Sequence, residues 1–294
     1  MKNKGFTLIE LLAVIVILAI IALIATPVIL NIINSSREQA NVRSAELYES
    51  AVRLALARSQ VNQESIKDGY YYITDNGNLK NAFINSNDVI EVDVDKSRPT
   101  SGIYYIVNGD IKSVTGLTMG GKVISKNDNG KYEVSSSTAI NFSNQTAMKY
   151  QQNGTDYYRL RIFSLAKVTG AAIKEDSNYA LDYTNIKVTI DNKEYKVFEI
   201  GTLVAIGASR KDLLYFTDKS TTPDSNVKRV PAENVYYVFD QGVVFNASVT
   251  SIPISAYEKS ICAKGYIGYE DENQEAKYIY SDAIETSVKK ASES

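Results

Sequence analysis

The feature that most constrains this chain is an apolar run close to its N-terminus. Residues 6–25 are all apolar except Thr7 and Glu10. A run of more than about 18 apolar residues is long enough to cross a membrane as a helix. Lys2 and Lys4 precede the run, and by the positive-inside rule they keep the N-terminus in the cytoplasm. The sequence therefore predicts a single-pass protein of the cytoplasmic membrane.

Glu10 is an unusual residue in such a run. A carboxylate at the centre of a membrane-spanning helix costs about 2.5–3.5 kcal/mol on insertion scales, so an acid there indicates a function by default. Because Glu10 stands only one turn inside the run, its side chain could instead reach the cytoplasmic headgroups. Taken alone, the residue leaves both interpretations open.

The residues around Glu10 favour the functional interpretation. After the basic leader, residues 4–12 read KGFTLIELL without interruption. This block resembles the class III signal of type IV pilins and pseudopilins. The resemblance implies that prepilin peptidase cuts after Gly5, where a residue without a side chain suits a protease cleft. It also implies N-methylation of Phe6, which becomes the new N-terminus.

The same resemblance implies a partner for Glu10. In the family, this carboxylate pairs with the terminal amine of Phe6 on a neighbouring subunit in the filament core. A buried charge is tolerated when it is paired, and such pairing rewards the correct register between helices. The implied partners are other pilin subunits and the inner pilus assembly machinery. The implied destination is a pilus on the cell surface.

Composition and charge exclude several classes of activity. The chain has no His, which removes Ser-His-Asp triads, Cys-His dyads and zinc sites with His ligands. No Walker A motif or glycine-rich dinucleotide fingerprint is present. The net charge is −2 and no long basic run occurs, so no nucleic-acid partner is expected. We expect no enzymatic activity, no cofactor and no metal site.

One acidic segment leaves a metal alternative open. Asp88, Glu91, Asp93 and Asp95 alternate with Val and Ile. These carboxylates could bind calcium, but the segment lacks the regular ligand loop with its Gly. A solvated edge strand is the favoured interpretation. The segment 127–130 is likewise interpreted as a hairpin turn rather than a metal loop.

The single cysteine, Cys262, rules out an intrachain disulfide. Many Gram-negative pilins close their C-terminal loop with one. The departure seen here resembles the Gram-positive, clostridial-type members of the family. Because free Cys mostly behaves as a small hydrophobe, an inert buried thiol is predicted.

The apolar run is predicted to continue as one helix to about Gln60. Pro27 follows the run and removes one backbone hydrogen bond, so a helix kink is predicted there. The front part of this helix, residues 6–30, is interpreted as the membrane and filament-core segment, and residues 1–5 as the leader.

The rear part of the helix has an amphipathic pattern. Ala45, Tyr48, Val52 and Ala55 recur at i, i+3, i+7 and i+10, with polar residues such as Glu49 between them. This spacing predicts that one face of the helix lies on a sheet.

Residues 61–102 are interpreted as a connecting region with a few short elements. Strands are predicted after it, with Asn108-Gly109 and Asn129-Gly130 as hairpin turns. The predicted strands are 103–107, 110–116, 122–125 and 131–135. A long helix followed by a short antiparallel meander is the pilin architecture, and this head is predicted to cover residues 31–136.

A polar joint at residues 135–138 predicts a domain boundary. Beyond it, residues 137–294 contain about seven strand-like runs separated by turn clusters, which predicts a β-sandwich. These runs are 157–165, 186–190, 195–208, 235–239, 243–252, 260–269 and 276–280. Residues 198–204, 263–269 and 278–282 resemble a domain appended to surface proteins of Firmicutes. The predicted fold class is α+β, a pilin fold followed by an all-β sandwich-like domain.

Three functions remain open at this point. The favoured one is a structural subunit of a type IV pilus, a minor or tip pilin whose second domain is displayed for adhesion to an unidentified host or surface ligand. The second is a pseudopilin of a type II secretion or DNA-uptake system. The third is a membrane-anchored surface domain whose N-terminal block matches the signal by coincidence.

Overall fold

The computed structural model describes residues 8–83, 86–94, 98–126, 130–135, 139–174 and 179–293. Helix α1 spans Leu8–Val61 and ends one residue beyond the predicted end. At 1.5 Å per residue it is about 80 Å long. Ala45, Tyr48 and Val52 are fully buried, which confirms the predicted apolar face of its rear half.

Seven antiparallel strands follow α1 and form the head sheet, in the order β3-β2-β1-β4-β5-β6-β7. Their bounds are β1 Gly69–Ile73, β2 Leu79–Asn81, β3 Val89–Ile90, β4 Ser101–Val107, β5 Asp110–Met119, β6 Lys122–Lys126 and β7 Tyr132–Val134. One face of the sheet packs on α1, and its buried side chains include Tyr104, Ile106 and Leu117. The predicted packing of the helix on the meander is confirmed.

The turn between β4 and β5 has the geometry that its sequence predicts. Asn108 and Gly109 have φ angles of 53° and 76°, and Val107 pairs with Asp110 across the turn. Positive φ at both central residues is what a two-residue hairpin requires, and Asn-Gly adopts it at low cost. The turn predicted at residues 127–130 lies largely outside the described residues.

The segment predicted as a connection contributes three strands to the head sheet. Strand β1 lies inside the sheet, between β2 and β4. Its Tyr71 packs toward α1, whereas Tyr70 is buried on the opposite face. Because both faces of β1 are covered, its sequence does not alternate between apolar and polar residues. The acidic segment supplies the edge strand β3, which is only two residues long.

Two further sheets follow the head sheet. The first has the order β15-β16-β9-β8, with bounds β8 Ile140–Gln152, β9 Thr155–Ala166, β15 Glu233–Phe239 and β16 Gly242–Pro253. The second has the order β12-β13-β17-β18, with β14 beside β13 and β19 beside β17. Its bounds are β12 Lys187–Ile190, β13 Lys193–Ile206, β14 Lys228–Pro231, β17 Ile261–Glu270, β18 Ala276–Tyr280 and β19 Ile284–Thr286.

These two sheets face each other across a common core. The buried side chains that they share include Ile140, Val243 and Phe245 from the first sheet and Val197, Ile200 and Ile267 from the second. The remaining elements are the short pair β10 Ala172–Ile173 and β11 Leu181–Asp182, 3-10 turns at Ala208–Leu213 and Ile254–Ala256, and α2 Val288–Glu293. The predicted α+β class, a helix on an antiparallel sheet followed by a sandwich, is confirmed.

The head sheet and the sandwich are in direct contact. We name this contact the junction cluster, formed by Tyr70, Ala82 and Ile103 of the head and Leu165, Phe239 and Val244 of the sandwich. The rings of Tyr72 and Phe239 stack at 5.0 Å between centroids. The head sheet is therefore covered by α1 on one face and by the sandwich on the other. The boundary near residue 136 remains a prediction.

Candidate assembly site on the N-terminal helix

The front half of α1 exposes an unbroken apolar surface. Every large apolar side chain from Leu8 to Ile33 is exposed, whereas the rear half buries one face on the head sheet. Within the described residues, α1 is the single helix long and apolar enough to cross a membrane. Soluble proteins rarely expose contiguous apolar patches of this extent, so the surface indicates insertion into a membrane or into an assembly.

Glu10 lies in the first described turn of this apolar surface. A carboxylate near a helix N-terminus interacts favourably with the helix dipole, which partly offsets its cost in an apolar environment. Gly5 and Phe6, the residues predicted to be cut and methylated, lie outside the described residues. The roles of all three therefore remain predictions.

Pro27 lies within α1, and the helix continues through it without a break. The kink remains a prediction, but the neighbouring Thr26 supports it. The Thr26 hydroxyl donates to the Ala22 carbonyl at 2.6 Å. Ser and Thr side chains that bond back in this way often bend helices. Thr26 thus adds a second local cause of bending to the hydrogen bond that Pro27 cannot make.

Glu49 fixes the rear half of α1 to the edge of the head sheet. Its carboxylate lies 2.6 Å from Arg53 Nη2 and 2.6 Å from Lys126 Nζ. The Tyr132 hydroxyl donates to the same carboxylate. Burial raises the pKa of Glu49, but the hydrogen bonds from Lys126, Tyr132 and Arg53 outweigh it and lower that pKa below its ordinary value. We name these four residues the Glu49 cluster.

The periodicity of α1 groups Glu49 with the polar residues, yet Glu49 is only 6% exposed. The cause is tertiary, because β6 and β7 bring Lys126 and Tyr132 to its carboxylate. A helical pattern carries no information about partners on distant strands.

We expect Glu49→Gln to lower the free energy of unfolding by about 1–3 kcal/mol, because Arg53, Lys126 and Tyr132 lose a buried, charged acceptor. Because the folded pKa of Glu49 is depressed, its contribution is present above the unfolded value near 4.5 and is lost as pH falls through the folded pKa. Denaturant unfolding of the detergent-solubilised chain, followed by tyrosine circular dichroism, measures both effects. Glu46→Gln is the matched control, since Glu46 is exposed on the same helix. Equal stability of the two variants would contradict the prediction.

A second apolar stripe on α1 faces away from the head sheet. Leu47, Leu54 and Val61 are 70%, 52% and 82% exposed and follow one another at seven-residue spacing. Residues seven apart lie on one side of a helix, so the three form a line along it. The seven-residue spacing of these three residues is visible in the sequence. It is less conspicuous there than the spacing of the residues on the buried face of the helix.

The structure also places the cysteine and part of the acidic segment that the sequence analysis considered. Cys262 is buried as predicted, and burial raises the pKa of its thiol. Asp88 pairs with Lys67 at 2.9 Å. Asp95 lies outside the described residues. In the part of the chain that the structure describes, no group of three or more Cys, Asp or Glu residues is placed to hold a metal ion.

Comparison with known protein families gives a match at the N-terminal end of the chain, where Glu10 and the apolar front of α1 lie. Residues 1–26 match the family model described as the prokaryotic N-terminal methylation motif. The N-terminus is prepilin-like. No curated protein and no solved structure matches the chain. The motif and the exposed apolar helix together support a type IV pilin-like or pseudopilin-like protein.

The match has direct implications for processing and location. A prepilin motif implies processing by prepilin peptidase and assembly with other pilin subunits. With one apolar N-terminal helix, it fits a single-pass, membrane-anchored protein that is later exposed in a pilus. It suggests a structural subunit rather than an enzyme. It covers the first 26 residues and leaves the β-rich remainder to be interpreted from its structure.

Proposed function

We propose that this chain is a structural subunit of a type IV pilus. The observation that carries the proposal is the difference between the two halves of α1. The N-terminal half is apolar and exposed, whereas the C-terminal half packs on the head sheet. In the membrane, lipid covers the front half before assembly. In a filament, the same surface is covered by the helices of other subunits.

In this proposal the residues near the N-terminus have separate roles. Prepilin peptidase cuts between Gly5 and Phe6, and Phe6 is then methylated on its new terminal amine. Glu10 pairs with that amine on a neighbouring subunit. If the helices of two subunits were aligned in another register, the charge would be buried without its partner, which costs free energy. The pair therefore favours the correct alignment.

The exposed stripe of Leu47, Leu54 and Val61 supports assembly along more of α1 than the membrane segment. It lies on the rear half of α1, beyond the polar residues 34–39 that follow the apolar front half. The rear half of α1 is buried on one face and has exposed apolar side chains on the other. Because apolar surface is stabilised by burial, the second face is suited to packing against another partner. We assign the head sheet to the first side and a neighbouring subunit to the second.

We further propose that the chain is a minor pilin at or near the filament tip. Each subunit must leave room for the heads of its neighbours, and here a sandwich is attached to the head through the buried junction cluster. A bulky body fixed in this way is harder to accommodate at every helical position than at the tip. Displayed there, the sandwich presents a surface for adhesion.

The stoichiometry of sheared pili tests this assignment. We expect quantitative mass spectrometry to find far fewer copies of this chain than of the major pilin in the same filaments. The membrane fraction of the same cells serves as the reference for total expression. A copy number equal to or above that of every other pilin would make this chain the major subunit.

The alternative is a pseudopilin of a secretion or DNA-uptake system, because the N-terminal motif is common to both classes. Labelling with an antibody to the sandwich distinguishes them. Long surface filaments that carry the label support a pilus subunit, whereas label confined to the cell envelope supports a pseudopilin.

A further inference from the structure

Lys167 places a positive charge at the contact between the head sheet and the sandwich. It follows strand β9, and its backbone N–H donates to the Ala139 carbonyl at 2.7 Å. Its side chain crosses over Gly116 of β5, where an added Cβ would lie 3.2 Å from Lys167 Cε. Gly116 has a φ of 63°, so both the backbone and the lysine stem favour glycine at this position.

The amine of Lys167 has no anionic partner among the described residues. Lys167 Nζ donates to Thr118 Oγ1 at 2.7 Å and to Ser101 Oγ at 3.3 Å, and both acceptors are neutral. Burial lowers the pKa of Lys167 to about 8, and among the described residues no carboxylate offsets this effect. A cation withdrawn from water without a counter-ion is unfavourable, and an anion beside it would remove that cost.

The amine borders a cleft of about 410 Å³ between the head and the sandwich. Two other charged side chains line the cleft. Lys187 is already paired with Glu194 at 2.8 Å, and Asp240 adds one negative charge. The cleft therefore has one cation that is bonded to no carboxylate among the described residues, and one acid, Asp240, which favours a singly charged ligand over a dianion such as phosphate.

The remaining lining matches a ligand rich in hydroxyl groups. Four residues with hydroxyl side chains line the cleft: Thr100, Ser101, Thr169 and Thr189. Gln241 also lines the cleft, and its side-chain amide can both donate and accept hydrogen bonds. The cleft volume falls within the range of small-molecule sites.

We propose that this cleft binds a sugar carboxylate, such as a uronic or sialic acid residue, with Lys167 holding the carboxylate. The hydroxyls of Ser101 and Thr118 orient the amine, and the side-chain amide of Gln241 is the partner for a sugar hydroxyl. The site is formed only where head and sandwich meet. It does not depend on whether the chain assembles into a filament.

Calorimetric titration of the full detergent-solubilised chain tests the proposal. The probes are glucuronate and N-acetylneuraminate, with glucose as the neutral sugar and inorganic phosphate as the general anion. We expect at least one acid to bind about tenfold more tightly than glucose and phosphate near neutral pH. Equal binding of glucose or phosphate, or no binding of either acid, would overturn the proposal.

A variant and a pH series identify the group that binds. Lys167→Met should weaken acid binding at least about tenfold without lowering the melting temperature, because it removes a half-buried cation that is bonded to no carboxylate among the described residues. Lys112→Met, at an exposed position on the same head sheet, is the control and should bind like the wild type. Unchanged binding by Lys167→Met would refute the assignment.

The pH series needs no variant. Glucuronate affinity of the wild-type chain should fall between about pH 7 and about pH 10, as the amine loses its proton. Lys187 and Asp240 also line this cleft, and the Lys187 amine is paired with Glu194 at 2.8 Å. A constant affinity over the range would contradict the role of Lys167.

Discussion

Glu10→Ala is expected to leave membrane insertion intact and to reduce filament incorporation about a hundredfold or more. Removing one partner of a buried ion pair costs about 3–5 kcal/mol, and about 1.4 kcal/mol corresponds to a factor of ten. In the variant, the amine of Phe6 on the neighbouring subunit would lose its carboxylate. Insertion should improve slightly, because an apolar residue replaces a charge in the membrane segment.

The amount of the chain in sheared filaments, divided by its amount in the membrane fraction, measures the effect of Glu10→Ala. Leu12→Ala is the matched control, since Leu12 is exposed on the same part of α1 and carries no charge. Glu10→Gln separates the charge from the hydrogen bond. Wild-type incorporation of Glu10→Ala would mean that the side chain only reaches the headgroups.

The second large effect concerns the leader. The chain recovered from filaments is expected to begin at Phe6 and to carry one methyl group on its terminal amine. Gly5→Val should block this cleavage, because a branched side chain hinders the close approach of the backbone in a protease cleft. The uncut protein should remain in the membrane and be almost absent from filaments. Intact mass and N-terminal sequencing measure both outcomes.

Asn3→Ala is the control for the leader, because it changes the leader away from the cut. It should be processed normally. Filaments whose subunits retain residues 1–5, or a chain cut after Ala25, would refute the pilin assignment.

The long helix and its buried face could be predicted from sequence because their signals are local. The apolar run predicts the front part of α1, and the spacing of Ala45, Tyr48 and Val52 predicts the face that meets the sheet. Asn108-Gly109 likewise marks its hairpin directly, because few other residue pairs accept two positive φ angles. Each of these features depends on neighbours in the chain.

The missed strands depend on neighbours in space. Strand β1 is covered by α1 on one face and by the sandwich on the other, so its three tyrosines do not alternate with polar residues. The sequence pattern also does not predict strand β8. After its first two residues, β8 is mostly polar and half-exposed or exposed, and its extended conformation is stabilised by pairing with β9. Context of this kind overrides the weak β-propensity of Asn, Ser and Gln.

The candidate sites divide in the same way. The N-terminal block with Gly5, Phe6 and Glu10 is contiguous, so it can be recognised as a motif. The Glu49 cluster joins residues more than 80 positions apart, since Tyr132 bonds to a helix residue 83 positions before it. Lys167 meets Ser101 and Thr118 only because the sandwich folds onto the head. Contacts between residues so far apart in the chain cannot be predicted from their spacing in the sequence.

The Glu49 cluster also bears on how the chain carries a mechanical load. A pull applied to α1 from one end and to the sandwich from the other passes through β7, where the chain leaves the head sheet. Strand β7 is three residues long and lies at the sheet edge, so alone it would peel from β6 one hydrogen bond at a time. Tyr132 of β7 and Lys126 of β6 are both bonded to Glu49, so the strand that bears the tension is fastened directly to the helix that transmits it.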